Sequence, residues 1–229
     1  MNHRSTVRSR RPLLSLRPRL AAAGLAAIFF SLLLAMPNRA AAQNETSIDE
    51  TFHYDNLWEI SGQLAYMNPR NGNLITDRAD IGGGRAAATQ WIWPRLGATA
   101  DVRTYIGLGD ALPNGYSVNS PLMSQTFLTA GPEWRWIRGP AIGISFHALA
   151  GGVYGTFNGH VPAGVTPSVL GLYPNGGSVA FIGGGNIDFI RSPGFAIRIT
   201  PDLVATHFGS SFQENVSVSA GFVWHFGKF

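Results

Sequence analysis

Apolar residues alternate with polar or small residues along most of the chain from residue 56 onward. A period of two is typical of β-strands, and no helix-period segment longer than a few turns stands out. The alternation predicts eight strands, at residues 56–67, 81–93, 96–107, 123–137, 141–155, 178–190, 194–207 and 214–227. Each covers the roughly 9 to 11 residues with which a tilted strand crosses a bilayer. The pattern therefore predicts an all-β fold.

The connections between these segments alternate between short and long. Short turns with proline and glycine fall at residues 93–96, 138–141 and 191–194, where those residues favour tight reversals. Longer loops fall at about 68–80, 108–122, 156–177 and, shorter than the others, 208–213. With an even number of strands, all short turns and both termini lie at one end. This arrangement is typical of an eight-stranded antiparallel up-and-down outer-membrane barrel with periplasmic turns and external loops.

The two faces of each segment differ, and their chemistry separates a membrane barrel from a soluble one. In the first segment Trp58, Ile60 and Leu64 share one face, and Glu59 and Gln63 share the other. A membrane barrel must turn its charges inward, whereas a lipocalin-like soluble barrel turns them out to water. Five acids and four arginines on the polar faces nearly neutralise one another, as a narrow lumen requires. We predict a lumen charge network of Glu59, Arg85, Asp101, Arg103, Glu133, Arg135, Asp188, Arg198 and Asp202.

Aromatic residues gather near the predicted strand ends, where amphipathic rings form the two interfacial girdles of a membrane barrel. The girdle candidates are Trp58, Tyr66, Trp93, Trp134, Trp136, Trp224 and Phe226. For Trp91 and Trp93 ordinary aromatic core packing stays open, because their facing is not assigned by the alternation.

The first 42 residues are typical of a cleaved secretory signal. A basic stretch with arginines from Arg4 to Arg19 precedes an uncharged apolar run at residues 20–36, and small residues from Ala40 to Ala42 offer a cleavage site before Gln43. An uncleaved membrane anchor is the alternative, although the run is near the lower limit for a spanning helix. The predicted organisation is a signal peptide at 1–42, an N-terminal periplasmic segment at 43–55 and a barrel domain at 56–229.

Removal of the signal changes the charge balance. The chain has 17 Lys and Arg against 13 Asp and Glu, but seven arginines precede Gln43 and all acids follow it. The remaining chain has 10 bases (17 − 7) against 13 acids, so its net charge is −3. Nothing in this balance favours nucleic-acid binding. The absence of cysteine excludes both a lipoprotein anchor and a disulfide framework.

Four segments resemble strands four, five, six and eight of small OmpA-like outer-membrane β-barrel proteins: 126–132, 146–152, 183–188 and 221–227. The resemblance covers roughly residues 56–229. The C-terminal segment also resembles the sorting signal of such barrels, with a polar residue, a glycine and spaced aromatics at Ser219, Gly221, Trp224, Phe226 and Phe229. Phe229 lies on the opposite strand parity to Phe226, so which aromatic is read stays open.

The resemblance implies insertion into outer-membrane lipid by the barrel-assembly machinery, no cofactor, and a role that varies among members. Some are structural anchors, some contribute to adhesion or resistance, and some form narrow pores. OmpA itself carries a periplasmic peptidoglycan-binding domain after its barrel, whereas this chain ends at the eighth strand. The partner of the external loops is not indicated.

One serine and one histidine are the candidates for an enzymatic site. Ser145 and His147 are two residues apart and share the predicted inner face, but their order does not match the His-x-Ser pattern of lipid A deacylases. An inward Ser/His pair is more often part of a polar lumen. The other histidines, His53, His160, His207 and His225, form no recognisable metal-ligand spacing. The glycine runs at 82–84 and 183–185 match neither the P-loop nor the dinucleotide fingerprint.

The sequence thus favours a non-enzymatic outer-membrane barrel with a structural or surface-interaction role through its external loops. A narrow pore for small solutes is the alternative, motivated by the polar inner faces. Since eight strands leave an interior just wide enough for side chains to fill, a filled lumen is the expectation. A lipid-modifying enzyme that uses Ser145 and His147 is the third hypothesis.

Overall fold

The computed structural model describes residues 56–70, 72, 78–210 and 212–228. The predicted signal peptide, its cleavage site, the segment at 43–55 and Phe229 lie outside the described residues. The strands are β1 (Trp58–Met67), β2 (Asp80–Trp91), β3 (Leu96–Leu108), β4 (Leu122–Arg138), β5 (Ile142–Gly159), β6 (Gly176–Ser192), β7 (Phe195–Thr206) and β8 (Gln213–Phe226). A 3-10 helix, Pro167–Leu170, lies in the β5–β6 loop.

The eight strands form a closed barrel in which every strand pairs antiparallel with the next and β8 pairs back with β1. Closure leaves no sheet edge whose backbone groups would be unpaired in lipid. The prediction of an eight-stranded antiparallel up-and-down barrel is confirmed. The largest difference in strand bounds is at β5, for which the alternation ends at residue 155 and the strand ends at Gly159.

The two ends of the barrel differ as the connections predict. We call the end with the short connections 92–95, 139–141 and 193–194 the turn end, and the opposite end the loop end. Asn56 and Gly227 flank β1 and β8 at the turn end, where Leu57 N–H donates to Gly227 C=O at 3.3 Å. Among the described residues, no helix is long and apolar enough to cross a membrane.

The outer surface of the barrel is apolar in the middle of the strands. Leu64, Leu128 and Leu203 are 62%, 67% and 66% exposed. Soluble proteins rarely expose so large an apolar surface to water. Charged residues that face outward, such as Asp80, Glu214 and Arg191, lie at the ends of their strands. This surface is that of a membrane-embedded barrel.

The exposed tryptophans mark one membrane interface. Trp58, Trp93, Trp134, Trp136 and Trp224 all lie near the turn end and point outward. Trp136 also packs against Phe146 with ring centroids 5.8 Å apart. Toward the loop end the outward aromatics include Tyr66 and Tyr154. The aromatic girdles therefore differ in composition, with tryptophan at the turn end and tyrosine toward the loop end.

The interior divides into two parts along the barrel axis. The half toward the turn end holds the buried charges, and the half toward the loop end holds the apolar core. The largest members of that core are Met67, Ile81, Tyr105, Met123, Phe127, Phe157, Leu170, Tyr173 and Phe208.

The outward face predicts a specific cost for a buried charge in lipid. Leu128→Arg, near the middle of β4, should lower the free energy of unfolding by about 2–4 kcal/mol, because the arginine would lie near the bilayer midplane. Equilibrium denaturant unfolding in phosphocholine vesicles measures it. The matched control is Val169→Arg in the 3-10 helix, where 56% exposure at the loop end predicts a change within about 0.5 kcal/mol. Equal losses in both variants would contradict a lipid-facing β4.

Candidate functional site

The structure places all nine predicted lumen charges inside the barrel. They occupy alternate positions of their strands, and each is no more than 4% exposed. Alternation accounts for this directly, because successive side chains of a strand point to opposite faces. The nine are Glu59, Arg85, Asp101, Arg103, Glu133, Arg135, Asp188, Arg198 and Asp202.

Five groups form a chain of ion pairs and hydrogen bonds across the middle of the lumen. Asp101 accepts hydrogen bonds from Arg85 and from Arg103, whose Nε lies 2.6 Å from Asp101 Oδ1. Arg103 Nη1 then reaches Asp202 Oδ2 at 2.6 Å, and His147 Nε2 lies 2.9 Å from Asp202 Oδ1. Because Asp202 belongs to β7 and Arg103 to β3, this chain joins opposite walls of the barrel. We call it the central chain.

A second network lies nearer the turn end. Glu59 accepts from Arg135 Nη2 at 2.8 Å and from Arg198 Nη2 at 2.5 Å. Arg198 also donates to Asp188, with Nε 2.6 Å from Oδ1, and the two residues are cross-strand partners in β7 and β6. Trp91 donates its indole N–H to Glu59 Oε1 at 2.8 Å, and the Arg135 guanidinium lies 3.7 Å from the centroid of that ring. We call this the turn-end network.

The turn-end network also closes the barrel mouth. Asn56, which immediately precedes β1, accepts from Arg135 Nη2 at 2.6 Å and donates to Glu59 Oε1 at 3.2 Å. Trp91 is 1% exposed, so its ring fills the space between these polar groups. The described side chains thus cover the lumen at this end without leaving the charges exposed.

Glu133 differs from the other acids in the kind of side chain that it contacts. Its recorded partners are neutral donors, which approach both carboxylate oxygens at 2.5–3.1 Å and come from Thr89, Thr99, Ser145 and Asn186. The central chain holds two arginines and two aspartates, and the turn-end network also holds two arginines and two acids. Glu133 is therefore the fifth acid, and hydroxyl and amide dipoles stabilise it instead of an arginine.

The loop end of the lumen is closed by apolar side chains. The 3-10 helix ends at Gly171, whose φ of 74° favours glycine, and the chain then places Leu170, Leu172 and Tyr173 inside the barrel. Phe157 packs against Tyr173 and Phe208 with ring centroids 5.7 and 5.0 Å apart. We call these residues, Phe157, Leu170, Leu172, Tyr173 and Phe208, the apolar plug.

Ser145 and His147 both face the lumen but serve different acids. Ser145 Oγ donates to Glu133 at 2.6 Å, whereas His147 pairs with Asp202. A serine nucleophile would need to donate to its histidine base. The described contacts instead place the two side chains in separate hydrogen-bond networks.

One acid–histidine cluster brings together residues that are far apart in the sequence, so no local sequence motif predicts it. Ligand atoms of Glu59, Asp188 and His225, from β1, β6 and β8, lie within 4.8 Å of one another. Arg198 donates to both carboxylates, so their charge is already neutralised by a guanidinium. The three side chains are close together, but because Arg198 neutralises both carboxylates they belong to the turn-end ion-pair network.

The residues of the predicted sorting signal lie on both faces of β8. Ser219 and Gly221 point inward, and Trp224 and Phe226 point outward at the turn end. A Cβ on Gly221 would lie 2.2 Å from Gly62 C=O, so this position accepts glycine alone, where β8 meets β1. The glycine has a packing reason, and reading of the segment by the assembly machinery stays a prediction.

Sequence reasoning missed Trp91, Asn56 and the apolar plug. Trp91 has the same strand parity as Arg85, so the alternation already contained the signal that it faces inward. Asn56 precedes the first strand and has no periodic context. The plug residues Leu170 and Tyr173 belong to a loop, for which strand alternation predicts no direction.

The fold is similar to those of solved outer-membrane proteins. Neisserial surface protein A has a TM-score of 0.55 at 11% identity, over 74% of this chain and 97% of that one. The outer membrane protein OprG from Pseudomonas aeruginosa has a TM-score of 0.53 at 10% identity, over 76% of this chain and 97% of that one. No protein-family model and no curated protein matches the sequence. The resemblance to small outer-membrane β-barrels is confirmed at the level of the fold.

The two kinds of buried acid should respond differently to neutralisation. Asp101→Asn should lower the free energy of unfolding by about 3–5 kcal/mol, because it leaves Arg85 and Arg103 with one carboxylate fewer in a buried site. Glu133→Gln should cost about 1–3 kcal/mol, because hydroxyls can reverse from donor to acceptor and meet the new amide. Denaturant unfolding in vesicles measures both. A larger loss for Glu133→Gln would refute the division into ion-paired and dipole-stabilised acids.

Proposed function

We propose that this protein is an integral outer-membrane scaffold whose barrel is closed to solutes and whose external loops form an interaction surface. The observation that carries the proposal is the filled lumen. Trp91 and Arg135 cover the turn end, two ion-pair networks cross the interior, and the apolar plug covers the loop end. A barrel filled in this way contributes rigidity rather than a passage.

Two of the external loops, β3–β4 and β5–β6, are held in a defined shape, which suits a binding surface. Asn114 donates to Leu112 C=O at 2.8 Å and Val118 C=O at 2.7 Å, so one side chain ties the β3–β4 loop together. Leu112 N–H donates to Leu170 C=O at 3.1 Å and joins this loop to the β5–β6 loop. A preorganised surface loses less conformational entropy when a partner binds.

The chemistry of this surface points to a partner recognised by apolar and neutral polar contacts. The β3–β4 loop, 109–121, has Asp110 as its one charged residue, and the 160–175 segment has no Asp, Glu, Lys or Arg. Tyr116 and Val169 are 52% and 56% exposed on these loops. Tyrosine supplies a large contact area at low entropy cost, which makes Tyr116 the candidate anchor.

A narrow pore is the competing function, because the half of the lumen toward the turn end is lined with charged groups. Conduction would require the Trp91–Arg135 contact and the apolar plug to move together. Since the plug packs as a continuous core with Tyr105 and Phe127, its displacement would expose several buried rings. These contacts support the closed scaffold over the pore.

Planar-bilayer recording tests the closed lumen. The folded protein should give no discrete conductance steps, because side chains fill the lumen at both ends. As a positive control, a combined variant should conduct: Trp91→Ala, Arg103→Ala and replacement of residues 160–175 by a short Gly/Ser turn. These changes remove the turn-end cover, the link of the central chain across the lumen, and three of the five plug residues. Reproducible steps from the parent protein at moderate voltage would overturn the proposal in favour of the pore.

The orientation of the barrel in the membrane can be tested by labelling single introduced cysteines, because the chain has no cysteine of its own. In intact cells, Tyr116→Cys should react with a membrane-impermeant maleimide, since the loop end faces outward when the turns are periplasmic. Arg191→Cys, exposed beside the β6–β7 turn, should react only after the outer membrane is permeabilised. Labelling of Arg191→Cys alone in intact cells would reverse the orientation and remove the loops from the surface.

A further inference from the structure

Two arginines face each other at the loop end between β1 and β2. Arg70 and Arg78 form an isolated antiparallel bridge just beyond the paired strands, and both are exposed. Like charges directly opposite each other on two strands are destabilising. Arg78 donates to Asn68 C=O at 2.8 Å and to Glu214 C=O at 3.1 Å, which fixes its guanidinium and leaves further N–H groups for a ligand.

The pair lies at the outer edge of the lipid headgroups. Tyr66 donates to Asp80 at 2.5 Å and marks the aromatic level on β1 and β2. Arg70 lies four residues beyond Tyr66, and Arg78 lies four residues beyond Gly82, the cross-strand partner of Tyr66. For strands tilted by about 40° this is roughly 10 Å higher along the membrane normal, whereas the headgroup layer extends about 5 to 7 Å on each side of the hydrocarbon core. From this height the long arginine side chains can reach lipid phosphates by extending toward the membrane.

An apolar groove begins beside this pair on the outer wall. It has a volume of about 570 Å³ and crosses β5 to β8, and its walls include Ala150, Phe181, Gly183, Leu203 and Glu214. This volume is within the range of small-molecule sites. A Cβ on Gly183 would meet nothing within 4 Å, so small residues leave the floor open. Glu214 connects the two features, because it lines the groove and its carbonyl accepts from Arg78.

We propose that the groove and the arginine pair form a binding site for one phosphate-bearing lipid of the outer membrane. An acyl chain lies along the groove, and the phosphate accepts hydrogen bonds from Arg70 and Arg78. Arginine suits this role because its planar group binds phosphate in a bidentate way. The ligand relieves the repulsion between the two guanidiniums. This inference goes beyond the proposed loop-surface function and does not depend on it.

Two carboxylates near the arginine pair affect how strongly the site attracts a phosphate. Asp80 already accepts from Tyr66 and from Asn68 Nδ2 at 2.8 Å, so neutral donors disperse its charge. Glu214 faces the membrane at the start of the groove, where it repels a phosphate. Both arginines are therefore needed at the site, because their charge must offset that of the Glu214 carboxylate at the start of the groove.

Native mass spectrometry of the full chain folded in detergent micelles tests the proposal. Dimyristoyl phosphatidic acid should bind at least about tenfold more tightly than dimyristoylglycerol, which has the same chains without the phosphate. Inorganic phosphate alone should bind weakly, because it cannot use the groove. Equal binding of the two lipids would overturn the phosphate site. Tight binding of inorganic phosphate would reduce the site to a free-anion site and also overturn the lipid proposal.

Substitutions separate the two parts of the site. The double variant Arg70→Gln/Arg78→Gln should lower the affinity for phosphatidic acid to that for dimyristoylglycerol. Its control, Arg95→Gln/Arg191→Gln at the turn end, should leave the affinity for phosphatidic acid unchanged.

The groove is tested separately. Gly183→Leu should lower the affinity for both lipids several-fold, because the new side chain fills the groove. Gly62→Leu, an outward position away from the groove that is equally open, is its control. Glu214→Gln should strengthen phosphatidic acid binding. Losses that are equal in the test and control variants would refute the site.

Discussion

Buried charge that must be neutralised within a narrow lumen is the constraint on which the rest of this structure depends. Lipid outside the barrel leaves the nine strand charges no place except the interior, and eight strands leave little room for water there. An arginine or acid alone in such a space would lose its hydration without compensation. The central chain and the turn-end network solve this by pairing each arginine with carboxylates from other positions, and Arg103 reaches across to Asp202.

The same constraint explains why function moves to the outside of the barrel. Side chains that neutralise one another fill the space that a substrate or ion would need, and the loops add an apolar plug above them. Filling makes the wall rigid, so loops such as the one tied by Asn114 can hold a fixed shape. The surfaces left for recognition are the loop end and the lipid-facing wall. The β3–β4 and β5–β6 loops, in which Asp110 is the one charged residue of 109–121 and 160–175, differ in chemistry from the Arg70–Arg78 pair.

Period-two alternation predicted the strands and the inward position of every lumen charge, and the alternation of short and long connections predicted the order in which the strands pair. It could not predict the pairings, because Arg103 and Asp202 are 99 positions apart and meet through barrel closure. It also grouped Glu133 with the ion-paired acids, since sequence parity does not distinguish a neighbouring threonine from a neighbouring arginine. The plug was beyond its reach because Leu170 and Tyr173 lie in a loop, where direction depends on a left-handed glycine and on packing against Phe157.

The lumen charges also specify the register of the strands, which the lipid face cannot do. A slip of one residue would turn charges into lipid, but a slip of two residues would keep every leucine outward and every charge inward. The apolar face gives little preference for the native register over a two-residue slip, because each outward apolar residue would be replaced by another. The lumen does distinguish it, since a shift of about 7 Å would separate Arg198 from its cross-strand partner Asp188 and remove the donors that converge on Glu133. These donors come from β2, β3, β5 and β6, so Glu133 on β4 couples the register of five strands at once. The ion pairs and the lone dipole-stabilised acid thus make one barrel out of the several that the hydrophobic pattern alone would allow.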